Sequence, residues 1–390
     1  SGVIVKMKQQ LSVWISDNRL RKLNLLVGAV CATMACVANA ADFEKKISIS
    51  ASVEHDSNPA MSDSGKDPVW IYSLVPQIQL GLRDEVNYWH LDTALLLQRH
   101  SNETVLVDRE DPSIGMGWDR TYESGTFGIK ADYQETSARV AELNNIGVFR
   151  NIKNTQKNKV LGAKWQHTIS PRWSILTEAG YSDVSFSAKS SLDDYTLGDI
   201  RLKLAHENTE KLTTNLTVGY AKLNPDAISK NTDIAHLLVG ADYLLSEELS
   251  ITSKLGLYDM SGRQSDTDWQ GALRAEYATG SSLFSAGISR ELLPGGVGVR
   301  KVDGLKLAGR YNVSDRNWIG AEYSFDQFKK DNTIFVDKLN TQTLSAFYER
   351  TISDHWQARL VASHKRLDYT GNHPQGNVIG ITIVYDTLNF

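Results

Sequence analysis

The connections between the amphipathic segments of this sequence alternate in length from about Lys46 to Phe390, and this alternation limits the fold more than any other feature. Every second connection is a very short turn, and those between the turns are longer, polar and irregular. Barrels of the bacterial outer membrane have short periplasmic turns and long external loops. The short turns are Arg83-Asp84-Glu85, Glu123-Ser124-Gly125, Ser170-Pro171-Arg172, Thr209-Glu210-Lys211, Ser246-Glu247-Glu248, Thr279-Gly280-Ser281, Ser314-Asp315-Arg316 and Ser353-Asp354-His355.

The segments between connections repeat every two residues, as β-strands with one apolar face do. In Lys46–Glu54, for example, Ile47 and Ile49 alternate with Ser48 and Ser50. Counting such segments gives about 18 strands, with 16 as the alternative. The pattern predicts an all-β fold, a transmembrane antiparallel up-and-down β-barrel. A barrel has no unpaired edge in lipid, and an even strand number puts both termini on the periplasmic side.

The first 40 residues predict secretion. A basic region at Arg19, Arg21 and Lys22 precedes an uncharged, mostly apolar run from Leu23 to Val37, which is too short for the roughly 20 residues of a spanning helix. Small residues follow at Ala38-Asn39-Ala40, as at a signal-peptide cleavage site. We therefore expect upstream residues and a cleaved signal peptide in 1–40, an outer-membrane barrel in 41–390, and no separate domain.

Composition excludes several classes of function. The net charge is −4, and residues 1–40 carry +4, which leaves −8 for residues 41–390 and argues against binding to nucleic acid. Both cysteines, Cys31 and Cys36, lie in the predicted signal peptide, so we expect no disulfide and no cysteine metal site. The mean hydropathy of −0.32 does not oppose a membrane location, because only alternate residues of a barrel strand face lipid.

Charges of both signs occupy the face of the strands that is predicted to line the lumen. They either create a transverse field at a constriction or simply balance one another in a wet lumen, and the sequence favours neither reading. The predicted lumen-facing residues are Lys130, Asp132, Lys164, Glu178, Arg201, Lys203, Asp242, Lys254, Arg274, Glu276, Lys306, Arg310, Glu322, Asp326, Glu349 and Arg359, with Lys365 beside them.

Aromatic residues near strand ends predict two interfacial girdles on the outer face. Trp173, Trp318 and Trp356 follow short turns, which places them at one interface. The strand tyrosines mostly lie farther from those turns, although Tyr243, Tyr277 and Tyr311 are closer, and this spread predicts the second girdle. The set is Tyr133, Tyr181, Tyr220, Tyr243, Tyr277, Tyr311 and Tyr323. Two aromatic residues, Tyr258 and Phe347, are candidates for the inner face.

No motif points to catalysis, so we expect neither an enzyme nor a metal or other cofactor. The histidines are scattered and accompany no Gly-x-Ser-x-Gly or His-Glu-x-x-His pattern. The glycine-rich Pro294-Gly295-Gly296-Val297-Gly298 has no following helix, so it predicts a turn rather than a phosphate-binding loop. The long connection Ala138–Asn158 contains several apolar residues. It is a constriction loop, an ordinary mobile loop, or simply the upper ends of strands 5 and 6.

Several units that combine a turn and a strand resemble the β-barrel porins encoded with exopolysaccharide export systems. The units are Ile169-Ser170-Pro171-Arg172-Trp173-Ser174-Ile175, Leu245-Ser246-Glu247-Glu248-Leu249-Ser250-Ile251, Val313-Ser314-Asp315-Arg316-Asn317-Trp318 and Ile352-Ser353-Asp354-His355-Trp356. Two further stretches, Tyr133–Arg139 with Glu142–Gly147 and Ser289–Gly296, are similar to the same family. The terminal Phe390 resembles the assembly signal of outer-membrane barrels.

The resemblance implies a pore that exports a surface polysaccharide, together with periplasmic export components. Two alternatives stay open: a passive diffusion porin for small solutes such as sugars or organic acids, and a plugged structural or adhesive barrel. The expected partners are outer-membrane lipid, the barrel-assembly machinery, export components, and polysaccharide or small solutes, with no nucleic acid.

Overall fold

Eighteen antiparallel strands form one closed sheet in the computed structural model, which describes residues 42–63, 66–139, 154–187, 192–226, 231–262, 265–296, 298–329, 338–369 and 371–387. Each strand pairs with its neighbours in sequence, and β1 also pairs with β18, which closes the barrel. The strands are β1 Asp42–Asp56, β2 Val69–Arg83, β3 Asn87–His100, β4 Arg109–Tyr122, β5 Gly125–Ser137, β6 Thr155–Ser170, β7 Trp173–Phe186, β8 Tyr195–Thr209, β9 Leu212–Pro225, β10 Thr232–Leu244, β11 Leu249–Gly262, β12 Asp266–Ala278, β13 Ser282–Gly295, β14 Gly298–Ser314, β15 Asn317–Lys329, β16 Lys338–Ser353, β17 Trp356–Tyr369 and β18 Gln375–Asp386.

All eight predicted short turns lie at one end of the barrel, which we call the short-turn end; the opposite end is the long-loop end. The predicted fold class and the count of 18 strands are therefore confirmed. The predicted signal peptide and Phe390 lie outside the described residues, as does most of the connection Ala138–Asn158. The division of the chain at residue 40 stays a prediction.

A β-bulge accompanies three of the four repeated turn units, and the unit at Leu245–Ile251 has none. The strand register shifts between Thr168 and Ser170, between Asn312 and Ser314, and between Thr351 and Ser353. The residue skipped at each shift is apolar and half exposed: Ile169, Val313 and Ile352, respectively. A bulge adds one unpaired residue and sharpens the local twist. Each of these three units thus turns the chain while it presents an apolar side chain outside the barrel.

Hydrogen bonds from neighbouring side chains and amides hold the short turn between β2 and β3. The Asn87 side chain donates to both carboxylate oxygens of Asp84, and the amides of Val86 and Asn87 donate to the same carboxylate. These bonds, led by the one from the Asn87 side chain, lower the pKa of Asp84. Such an Asx turn closes the hairpin without help from either barrel face.

The outer face of the barrel is a continuous apolar surface. Directly paired residues of an antiparallel sheet share a face, and Leu202, Val218 and Leu237 are paired in this way across three strands. All three are exposed. The most fully buried side chains lie elsewhere: Tyr258, Leu223, Leu339 and Val69 come from the long-loop ends of their strands, and others such as Asn58 come from the connections beside them.

Candidate functional site: the lumen and its narrowed mouth

The strand pairing places each of the sixteen predicted lumen-facing residues on the face opposite the exposed apolar residues. Glu178, for example, pairs with Lys164 on β6 and with Arg201 on β8, and it alternates with outward-facing Thr177 and Ala179. Lys365 lies on the same inner face, opposite Gly376. What these residues do for a passing solute stays a prediction.

Three ion pairs form within the predicted set. Lys130 lies 3.8 Å from Asp132, Arg274 lies 2.7 Å from Glu276, and Arg310 lies 3.2 Å from Glu349. Most of these side chains are exposed to the lumen, so each pair contributes little to stability. Within the described residues no ion pair is found for Lys164, Lys203, Lys306, Glu178, Asp242, Glu322 and Asp326.

The hairpin of β13 and β14 leaves the barrel wall near the long-loop end. On one side, pairing with β12 begins only at Arg290; on the other, pairing with β15 begins only at Val302. Beyond these points the two strands pair only with each other, as far as Gly295 opposite Gly298. Gly298 has a φ of +119°, which a glycine adopts readily. We call residues 291–302 the arm.

The arm crosses the mouth to the wall formed by β7 to β11. Its Leu292 and Val299 pack in one apolar cluster with side chains from all five strands: Val184, Tyr195, Leu223, Ile234, Tyr258 and Met260. At its tip, the Asp193 amide donates to the Gly296 carbonyl with an N···O distance of 3.1 Å. The tip therefore reaches the connection between β7 and β8, far from the strands that carry the arm.

The arm is apolar on a second side too. Leu293 and Val302 pack in a separate cluster with Met61 and with Phe328, Leu339 and Leu367 of β15 to β17. The Arg300 side chain is buried, with its guanidinium carbon 5.1 Å from the centroid of the Phe328 ring. Apolar contacts on both sides indicate a fixed position for the arm.

Ion pairs tether the arm to the adjacent wall. The Lys301 ammonium lies 2.5 Å from the Asp266 carboxylate and 2.8 Å from that of Asp268, both on β12. Glu291 lies 2.8 Å from Lys254 of β11. Ionised partners make such hydrogen bonds strong. Lys254 is thus a predicted lumen residue that contacts the arm directly.

Other connections at this end also fold inward. The buried Asn58 side chain donates to the carbonyls of Ser62 and Gln375, at 2.8 and 3.0 Å. The guanidinium of Arg139 donates to the Pro59 carbonyl, and burial lowers the pKa of Arg139. Together with the arm, these segments place most of the buried core inside the mouth and leave the inner face of the remaining barrel polar.

A cavity of about 490 Å³ lies beneath the arm. Glu291, Leu292 and Pro294 of the arm cap this cavity. Five predicted lumen residues line its wall: Glu178, Arg201, Lys203, Asp242 and Lys254. Its volume is that of a small-molecule site. A second cavity, about 330 Å³, lies between the inward loops and β16 and β17, and Lys365 lines it.

The structure corrects one sequence prediction and adds a feature that we did not predict. Trp318 pairs with Glu349 and faces the lumen, so it does not belong to the outer girdle; Trp173 and Trp356 do face outward. The sequence predicts only a turn at Pro294–Gly298, where the structure has the arm. The adjacent apolar residues Leu292 and Leu293 break the two-residue alternation, which is a pattern typical of strands buried on both faces.

Two of the described histidines lie on the outer face of the barrel, away from the lumen. His167 and His206 stack on the outer-face rings of Trp165 and Trp173, with centroids 5.5 and 4.2 Å apart. In the part of the chain that the structure describes, no three His, Cys, Asp or Glu side chains are grouped to hold a metal ion. The same described residues contain no helix that is long and apolar enough to cross a membrane.

Comparison with known proteins finds similar folds but no similar sequences. No family model and no curated protein matches the sequence. OccAB4 from Acinetobacter baumannii is similar in structure with a TM-score of 0.53 at 11% identity, over 90% of this chain and 99% of that one. OccK7 (OpdD) and the outer membrane protein OpdK, both from Pseudomonas aeruginosa, give 0.53 and 0.51 at 9% identity, over the same shares. The chain therefore has the closed 18-stranded antiparallel fold of these outer-membrane barrels.

Proposed function

We propose that this protein is a bacterial outer-membrane pore for the passive passage of small solutes. The observation that carries the proposal is a closed barrel whose polar inner face leads to a mouth narrowed by the arm. Barrels of this strand number leave an aqueous channel unless a segment fills it. A narrowed channel suits solutes of small size better than it suits a polymer.

Membrane insertion is supported by the outer face. Exposed apolar side chains cover the strands, and aromatic rings gather beside the short turns, as in the pairs Trp89 with Trp118 and Trp356 with Tyr385. Aromatic residues favour the interfaces at the edges of the apolar band. In this proposal the short turns and both termini are periplasmic, and Phe390 serves the barrel-assembly machinery.

One pair of substitutions on β9 tests the membrane-facing surface. We expect Val218→Arg to destabilise the inserted barrel by about 2–4 kcal/mol, because it places a charge in lipid. Thr217→Arg, on the adjacent inner-facing residue, should leave stability nearly unchanged because its charge meets water. Unfolding by guanidinium in lipid vesicles measures both. Equal losses for the two variants would argue against this assignment of faces.

Export of a polysaccharide through periplasmic components stays a prediction without support from the comparisons. The inner face also offers little free aromatic surface for a sliding glycan. The guanidinium carbons of Arg310 and Arg359 lie 4.1 Å from the ring centroids of Trp318 and Phe347 and cover one face of each ring. Tyr258, the other inner aromatic candidate, is buried beneath the arm.

Swelling of liposomes that contain the refolded protein tests the proposal. We expect glucose to enter rapidly and a long maltodextrin to be excluded, because the arm and the inward loops restrict the mouth. Equally fast entry of both sugars would favour a polymer conduit. Entry of neither sugar into liposomes with correctly folded protein would favour the plugged structural barrel.

A further inference from the structure

Two arginines in neighbouring rows of the inner face lie near the short-turn end. One row of paired residues across β14 to β17 contains Asn312, Trp318, Glu349 and Arg359. The adjacent row, one step farther from the turns, contains Arg310, Gly320, Phe347 and Val361. We call these eight residues the arginine patch. It lies on the opposite side of the barrel sheet from any lipid and away from the arm.

Each arginine of the patch stacks on an aromatic ring of the neighbouring row. Arg310 lies over Trp318, and Arg359 lies over Phe347, each with 4.1 Å between guanidinium carbon and ring centroid. The Phe347 ring in turn lies against Gly320, where a Cβ atom would collide with it. Stacking holds a guanidinium plane in place while its N–H edge stays free to donate.

Carboxylates within the patch compensate only part of its positive charge. Glu349 accepts a hydrogen bond from Arg310 at 3.2 Å. The Nε–H groups of Arg310 and Arg359 are buried without an acceptor among the described residues, so a solute can reach only the terminal N–H groups; Arg359 has no ion pair among those residues. Two fixed guanidiniums against one carboxylate leave a net positive site, and their terminal N–H groups are the donors that it offers.

We infer that the arginine patch is a binding subsite for the oxyanion of a small solute, such as a carboxylate. Planar guanidiniums bind carboxylates through paired hydrogen bonds, and a partly desolvated site strengthens them. A neutral sugar would gain less, because its ring cannot stack on faces that the guanidiniums already cover. The inference rests on the proposed function, since a solute must first enter the lumen.

Glucuronate and glucose form a matched pair of probes, since they differ by one carboxylate on the same ring. In single-channel recordings with KCl, we expect glucuronate to block the current with an apparent Kd at least about tenfold below that of glucose, as one charge-assisted contact provides. Arg359→Gln should remove the difference. Arg359→Lys should restore part of it, because the charge remains but the planar fork is lost.

Arg350→Gln is the control, because Arg350 neighbours Glu349 on β16 but faces outward, opposite Ala358. Glucuronate and glucose should block the current of this variant as they block that of the wild type. A conducting wild-type channel that glucuronate and glucose block equally would overturn the subsite and leave the proposed pore intact. Equal loss of block in Arg359→Gln and Arg350→Gln would also overturn it. A folded wild-type barrel without any current would instead overturn the proposed function and the subsite with it.

Discussion

Removal of the arm is expected to raise the single-channel conductance several-fold. In the variant, residues 291–302 are replaced by the dipeptide Asn-Gly, which links Arg290 to Asp303. These two residues are paired across β13 and β14, so a two-residue type I′ turn closes the hairpin without moving the wall. Because the arm is the segment that crosses the mouth, its loss opens the path to the polar lumen.

The same Asn-Gly linker, placed in the short turn in exchange for residues 246–248, is the matched control. That turn lies at the opposite end, outside the mouth, and its replacement should leave conductance unchanged. A large increase in both variants would indicate general loosening of the barrel. An unchanged conductance in the arm variant would show that the arm does not limit the passage of ions.

The second large effect is on stability. Tyr258→Ala should lower the free energy of unfolding by about 3–5 kcal/mol, as truncation of a buried large side chain does. Tyr258 is 2% exposed, packs against the arm cluster, and donates a hydrogen bond to Asp266 at 3.0 Å. Guanidinium unfolding in vesicles, followed by tryptophan fluorescence, measures the loss.

Leu257→Ala is the matched control, since Leu257 neighbours Tyr258 on β11 but is 62% exposed on the outer face. Its loss should be smaller, because lipid or detergent already surrounds that side chain and fills the space left by truncation. Tyr258→Phe separates the hydroxyl from the ring and should cost about 1 kcal/mol. A loss for Leu257→Ala as large as that for Tyr258→Ala would contradict a core located in the mouth.

The barrel wall was predictable because its sequence pattern is local and repeated. Two-residue alternation assigns each strand residue to a face, and units such as Ile169-Ser170 mark the short turns. The faces of Glu178, Arg201 and the other charged residues follow from that parity alone. Closure adds no new information, because an open edge is not tolerated in lipid.

The narrowed mouth was not predictable in the same way. Contacts between the arm and Val184 or Tyr195 join residues far apart in sequence, and no local pattern encodes which wall a hairpin will reach. Leu292 and Leu293 indicate burial on both faces without indicating the partner. The prediction for Trp318 is wrong because it rests on the position of Trp318 after a turn. Trp318 directly precedes the outward-facing Ile319, so it faces the lumen.

Single-channel recording of the wild-type protein in a planar bilayer tests the central claim most directly. A narrowed but open barrel predicts stable open steps in KCl, with no need for a partner protein. The absence of any channel current, from protein whose β-structure and membrane insertion are verified independently, would contradict a passive pore. The arm would then be a plug, and the barrel would be either gated by a partner or structural.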